Sequence, residues 1–105
     1  MYASVRLYHL EGDMNEAMHR VDTIFAPRLA EEPGFIAYEC IVTGDDTLCS
    51  VTTFGDEDGA LRSNDLAAEF VGEHFSDMLL TRTDVREGHV AVSRAADEVL
   101  TPAHA

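Results

Sequence analysis

Pro33-Gly34-Phe35-Ile36-Ala37-Tyr38-Glu39-Cys40-Ile41-Val42-Thr43-Gly44-Asp45-Asp46-Thr47-Leu48-Cys49-Ser50-Val51-Thr52-Thr53-Phe54 is the stretch that decides the fold. Gly34 interrupts the helical pattern that precedes it. Phe35 to Val42 is rich in aromatic and β-branched residues, the composition of a strand. Gly44-Asp45-Asp46 is a turn signal, because Gly and Asp tolerate the backbone angles that a hairpin loop demands. Leu48 to Phe54 returns as a second strand, and Gly55-Asp56 ends it. A lone hairpin is only marginally stable in water, so the rest of the chain must supply further strands and helices to cover one face.

Upstream, Tyr2 to Leu10 predicts a first strand. Ala3, Val5 and Leu7 form one side, expected beneath helices; Tyr2, Ser4, Arg6 and Tyr8 form the other, expected to meet a partner. Asp13, with Glu16 three residues on, fits an N-terminal capping box. Met14, Ala17, Met18, Val21, Ile24 and Phe25 then recur at helical spacing. Pro27 lies within that pattern and predicts a kink or stop near Ala26, since proline lacks an N–H and crowds the preceding turn.

Downstream, Asp56 and Asp58 offer an N-cap to a second helix. Its inward stripe is expected to be Ala60, Asn64, Ala67, Val71, His74 and Met78, widened by Phe70, Phe75 and Leu79. Ser63 falls on the expected solvent side. Thr81 to Asp84 is expected to connect to a last strand ending at Ser93. The order strand, helix, strand, strand, helix, strand, with right-handed crossovers, predicts an α+β, ferredoxin-like split βαββαβ fold. Its four-stranded antiparallel sheet would carry two helices on one face. The domain would span 1–94, with 95–105 as a C-terminal tail. The helix-free face would be an association surface, which a two-fold homodimer would cover.

The chain carries 7 Lys+Arg against 20 Asp+Glu, a formal net charge of −13. That field repels phosphate backbones and anionic lipid, so no nucleic acid and no membrane partner is expected. No basic region precedes an apolar run at the N-terminus, and two cysteines do not make a disulfide scaffold, so a cytoplasmic location is expected. Cys40 and Cys49 pair or miss each other according to where the Gly44-Asp45-Asp46 turn is centred.

The Pro33-Gly34-Phe35-Ile36-Ala37-Tyr38 opening, the acidic Gly44-Asp45-Asp46 turn, Val51-Thr52-Thr53-Phe54 and the segment Ser63 to Val71 together resemble the antibiotic biosynthesis monooxygenase-type domains of the dimeric α+β barrel superfamily. The resemblance covers about residues 2–94. It implies the dimeric α+β barrel, and a candidate cofactor-independent monooxygenase acting on a small aromatic, polyketide-like compound without metal or flavin. Non-catalytic members imply the alternative, a small-molecule-binding or accessory protein on the same scaffold. The chain has no Trp, which characterised members often use. Of the residues used by haem-degrading relatives, only the helix His has a counterpart, His74.

Asn64 and His74 interrupt an apolar stripe, separated by ~80° of arc and ~15 Å along the helix. Each is either a polar group satisfied at the core's edge or part of a pocket. In the second case His74 takes the proton of a phenol and Asn64 orients an oxygen, because His titrates near neutrality. Tyr38, Phe70, Val71 and Tyr8 are the expected substrate contacts, and Arg6 would either neutralise an anionic substrate or pair across a dimer interface. No His or Cys spacing for a metal, no phosphate-binding glycine loop and no nucleophile elbow is present, which argues against dehydrogenases, P-loop enzymes and serine hydrolases; the resemblance implies no cofactor.

Overall fold

A computed structural model describes residues 1–96. The chain runs β1 (Tyr2–Glu11), α1 (Met14–Arg20), a π-helical turn (Val21–Phe25), α2 (Ala26–Ala30), β2 (Phe35–Val42), β3 (Thr47–Phe54), α3 (Glu57–His74) and β4 (Leu79–His89). The sheet order is β2-β3-β1-β4, with antiparallel neighbours throughout. The α1–α2 arm and α3 pack on one sheet face around Leu10, Leu29, Leu48, Phe54 and Phe70. This is the expected ferredoxin-like architecture. The tail expected over 95–105 lies, from residue 97 on, outside the described residues.

Local chemistry starts both helices as expected. The Asp13 carboxylate accepts from the Glu16 amide at 3.1 Å, and Asp56 accepts from the Gly59 amide at 2.8 Å. The break at Pro27 is a π turn rather than a stop. An α-helix would need an amide at position 27 to bond to the Thr23 carbonyl, and the proline ring crowds that carbonyl instead. The turn widens, so the Ala26 amide bonds to the Val21 carbonyl five residues back, and the helix continues to Ala30.

Three expectations are corrected. The faces of β1 are reversed: Ser4, Arg6, Tyr8 and Leu10 are buried under the helices, whereas Leu7 is 40% exposed on the open side with Ala3 and Val5. Strand alternation shows which residues share a face but not which face is inside. Here the inward set is polar at its centre and the outward set is apolar.

Second, β4 begins at Leu79, where a helix end and a connector were expected. Leu79 fits a helical period, but Leu80 and Arg82 pair with Leu10 and Tyr8 of β1. An extra residue, Thr83, bulges opposite the Leu7–Tyr8 step and donates its hydroxyl to the Leu7 carbonyl at 3.2 Å. The partner of this strand lies some 70 residues earlier in the chain, so its start was not readable locally.

Third, α3 is rolled relative to its expected stripe. Ala60, Ser63, Ala67 and Phe70 are buried, so Ser63 points in and Asn64 sits at the rim. The β2–β3 register pairs Ile41 with Cys49 and Cys40 with Ser50. Cys40 and Cys49 therefore lie on opposite sheet faces, and both are free thiols.

Candidate functional site

The register lays one row of side chains across the helix-covered face: Cys40 from β2, Ser50 from β3, Arg6 from β1 and Val85 from β4. The adjacent row is Tyr38, Thr52, Ser4 and Glu87. The centre of this face is thus polar, and α3 covers it with Ser63, Asn64 and Ala67.

Arg6 is fully buried. Its Nη1 donates to Ser63 Oγ and to Asn64 Oδ1, each at 3.1 Å, and its Nη2 donates to Thr52 Oγ1 at 2.7 Å. All three acceptors are neutral. Among the described residues no carboxylate forms an ion pair with Arg6. An arginine cannot shed its proton inside a protein, and a buried charge without an opposite one is costly. Two polar atoms here also lack any hydrogen-bond partner within the described residues: Arg6 Nε and Ser50 Oγ. Ser50 is 2% exposed.

Both residues line one small cavity of about 20 Å³ between the sheet and the helices. The α3 wall is Ala67, Phe70 and Val71, and the π turn contributes Val21 and Phe25. Tyr8, Tyr38, Cys40 and Leu48 complete most of the sheet side. Burial pushes the Tyr38 phenol well above its usual range and raises the Cys40 thiol. Both are neutral at physiological pH, so Arg6 is the charged group in this wall. Phe25 stacks on Phe70 with ring centres 5.1 Å apart and meets Tyr38 edge-on at 5.5 Å.

Arg6, Tyr8, Tyr38, Phe70 and Val71, the five expected contacts, come together around this cavity. Asn64 and His74 do not border it. Asn64 stands behind Arg6: its Oδ1 accepts from Ser4 Oγ at 2.6 Å and from Arg6, while its Nδ2 donates to Glu87 at 2.8 Å. It positions the guanidinium and is tied to β4. His74 is the last residue of α3, and its side chain is 37% exposed. It opens into a surface hollow of about 450 Å³ beside Glu16, His19, Arg20, Thr23 and Glu73, with Phe70 packed against its ring on the inner side. The ~80° of arc between the two residues turns one toward β4 and the other toward α1. The expectation that they share a cavity is corrected on that ground.

Ser50 and Phe25 were missed as site residues. Ser50 sits in a strand where Cys49, Val51 and Thr53 alternate with Ser50 and Thr52, so neither side stands out as core. Its pairing with Arg6 becomes visible only once the register is known. Phe25 read as ordinary core.

No protein-family model matches the sequence, and no curated protein matches it. Solved structures do match. MupZ from Pseudomonas fluorescens superposes with a TM-score of 0.66 at 19% identity, over 82% of this chain and 65% of that one. SnoaB, a cofactor-independent oxygenase from Streptomyces nogalater, gives 0.63 at 15% identity, over 92% and 97%. A candidate antibiotic biosynthesis monooxygenase from Chloroflexus aurantiacus gives 0.65 at 10%, over 90% and 96%. The chain thus spans less than two thirds of MupZ and nearly all of the other two. At such identities the likeness shows the fold alone, the ferredoxin-like α+β arrangement described above.

Proposed function

We propose that the cavity beside Arg6 is the binding site for a small aromatic compound, and that the protein is a cofactor-independent monooxygenase acting on it. The observation that carries this reading is the buried, uncompensated guanidinium of Arg6 in a wall that is aromatic and aliphatic apart from Ser50 and the neutral Cys40. A fixed positive charge in a dry site stabilises negative charge that develops during reaction. Apolar walls with a few placed polar groups are the usual make-up of a small-molecule site.

The chemistry needs no general base in the wall, provided the substrate carries an acidic phenol. Arg6 favours its deprotonated form, whose carbanion character lets it combine with dioxygen. A ring CH₂ and O₂ become a ring C=O and water, with the substrate supplying all four electrons that the two oxygen atoms take up. Asn64, Ser63 and Thr52 hold Arg6 in place for this. His74 is not part of this reading, because its ring opens to the surface hollow.

The likeness to SnoaB, itself a cofactor-independent oxygenase, supports this choice among reactions. The test is oxygen consumption and quinone absorbance with hydroxylated anthrones and naphthols. Arg6→Met is expected to lower turnover by roughly 10²–10³-fold, the range for losing one oxyanion-stabilising donor. Absence of oxygen consumption with every such phenol would leave the second reading, a non-catalytic binding protein. That reading is favoured by one observation: no histidine or carboxylate lines the cavity.

The same proposal includes a homodimer. The open sheet face presents Ala3, Val5, Leu7, Ile41, Cys49 and Val51, with Leu7 40% and Ile41 48% exposed. These residues are interleaved with Glu39, Asp84 and Arg86 at paired positions on the same face; a half-apolar sheet face left open is an association surface, and a second copy would cover it.

A further inference from the structure

Built on the reading of the Arg6 cavity as a small-molecule site, one question is what that site selects. The cavity of about 20 Å³ has the volume of roughly one water molecule. A ring cannot enter it as it stands. Its polar end, though, is well defined. Arg6 Nε and Ser50 Oγ are cross-strand neighbours, both at least nine-tenths buried, both without a partner within the described residues, and both in the wall of the same cavity. Two donors with no acceptor, one of them charged, form a site for a single anionic oxygen.

The apolar end is also defined, and it is filled. Phe25 lies between Phe70, on which it stacks, and Tyr38, which it meets edge-on. That is the packing an aromatic ligand ring would make in the same slot. Phe25 belongs to the π turn, a helix form that is rare and recurs at functional sites. Burial keeps Tyr38 and Cys40 neutral, so neither adds a negative charge that would oppose an anion. The chain's net charge of −13 opposes an approaching anion at long range, but that field is screened within ~8 Å at physiological ionic strength.

We infer that the site selects an aromatic monoanion, with its anionic oxygen on Arg6 Nε and Ser50 Oγ and its ring in the slot that Phe25 fills in the closed form. A carboxylate and a phenolate share this chemistry. Phe25 is then the gate: it must withdraw for the ring to enter. The side chain that leaves and the ring that arrives are of similar size, so the core stays packed in both states.

The experiment is calorimetric titration of the full chain with benzoate, with its neutral isostere benzamide, and with 1-naphthol above and below the pH at which it ionises. Four proteins are compared: wild type, Phe25→Ala, and Phe25→Ala combined with Arg6→Met or with Ser50→Ala. Phe25→Ala should bind benzoate at least about tenfold more tightly than wild type, because the gate no longer competes for the slot. It should prefer benzoate over benzamide by roughly tenfold or more, the range for a hydrogen bond to a charged group. Arg6→Met and Ser50→Ala, each combined with Phe25→Ala, should erase that preference while benzamide binding persists. Tighter binding of naphtholate than of naphthol would extend the result to phenolates; benzoate selectivity alone would confine it to carboxylates.

Equal affinity for benzoate and benzamide, or a preference that survives Arg6→Met, would overturn the inference. If Phe25→Ala fails to fold, Phe25→Leu, which keeps most of the core volume, takes its place with the same expected order. These readouts need no turnover. Selective anion binding without oxygen consumption would remove the oxygenase reading and leave this inference standing. Oxygenation of neutral phenols unaffected by Arg6→Met would do the reverse.

Discussion

Gly59 shows how a single position can go against its own helix. It lies in the first turn of α3, where alanine ordinarily gains ~1 kcal/mol over glycine. A Cβ there would come within 2.4 Å of Cδ1 of Phe54, a ring that is fully buried. That ring has nowhere to go, so Gly59→Ala is expected to destabilise by about 1–3 kcal/mol, the cost of overpacking a core. Urea unfolding monitored by circular dichroism checks it, and a gain in stability would contradict the packing. Asp77 offers a second test. Arg20 grips its carboxylate with two bonds of 2.7 and 2.8 Å. That contact lowers the Asp77 pKa from 3.8 to about 2. A carboxylate depressed in the folded state adds stability above its unfolded pKa and loses it as pH falls through the folded value. The stability of wild type should therefore fall between pH 3.8 and about 2 more steeply than that of Asp77→Asn. The Asp77 carboxylate is exposed, though Arg20 is half-buried, so the difference is modest; thermal melts across that pH range measure it.

The helical arm from Met14 to Ala30 depends on Pro27 for its shape. The proline denies Thr23 its α-helical partner, and the resulting π turn carries both Val21 and Phe25 into the cavity wall. Pro27→Ala restores an amide that can bond to the Thr23 carbonyl. Amide exchange is then expected to show protection at residue 27, and the Cα shifts of 21–26 should move toward regular helix. One residue fewer in the widened turn rotates the helix before or after it by ~100°. Val21 and Phe25, four residues apart, stay on one face of a regular helix, so a change in benzoate affinity alongside the shifts would come from rotation of the arm against the sheet. Unchanged shifts would mean that the π turn is held by packing of Phe25 rather than by Pro27.

Taken as a whole, the molecule has an unequal sheet: one side polar at its centre and sealed by helices, the other half-apolar and open. A face-to-face dimer of the usual size buries ~1,600 Å² in total. Leu7→Glu places a charge on β1, one of the two middle strands, at the open face, with no effect expected on the helix-covered core. Sedimentation should give a dimer mass for wild type and a monomer mass for this variant, with the circular dichroism spectrum unchanged. A wild-type monomer at micromolar concentration would remove the dimer from the proposal.

Much of this was legible in the sequence. The Gly34 break, the Gly44-Asp45-Asp46 turn, the Asp13 and Asp56 caps and the helical spacing of Met14 to Phe25 each depend on neighbours a few residues apart. Such interactions are local, and they determine the elements and their order; the order with right-handed crossovers then determines the ferredoxin-like fold. The identities of the site residues were half legible. Arg6, Tyr8, Tyr38, Phe70 and Val71 do meet around one cavity, Arg6 and Tyr8 only because the inward face of β1 is the opposite of the one expected. What the tertiary structure alone decided was inside from outside and near from far. Alternation in β1 is symmetric, so burying Arg6 rather than Leu7 follows from its pairing with Ser50 and its cover by Ser63 and Asn64. The start of β4 follows from β1, and the separation of His74 from Asn64 follows from the roll of α3 and the packing of α1 beside its end. Each of these depends on contacts between residues tens of positions apart, which no local pattern encodes.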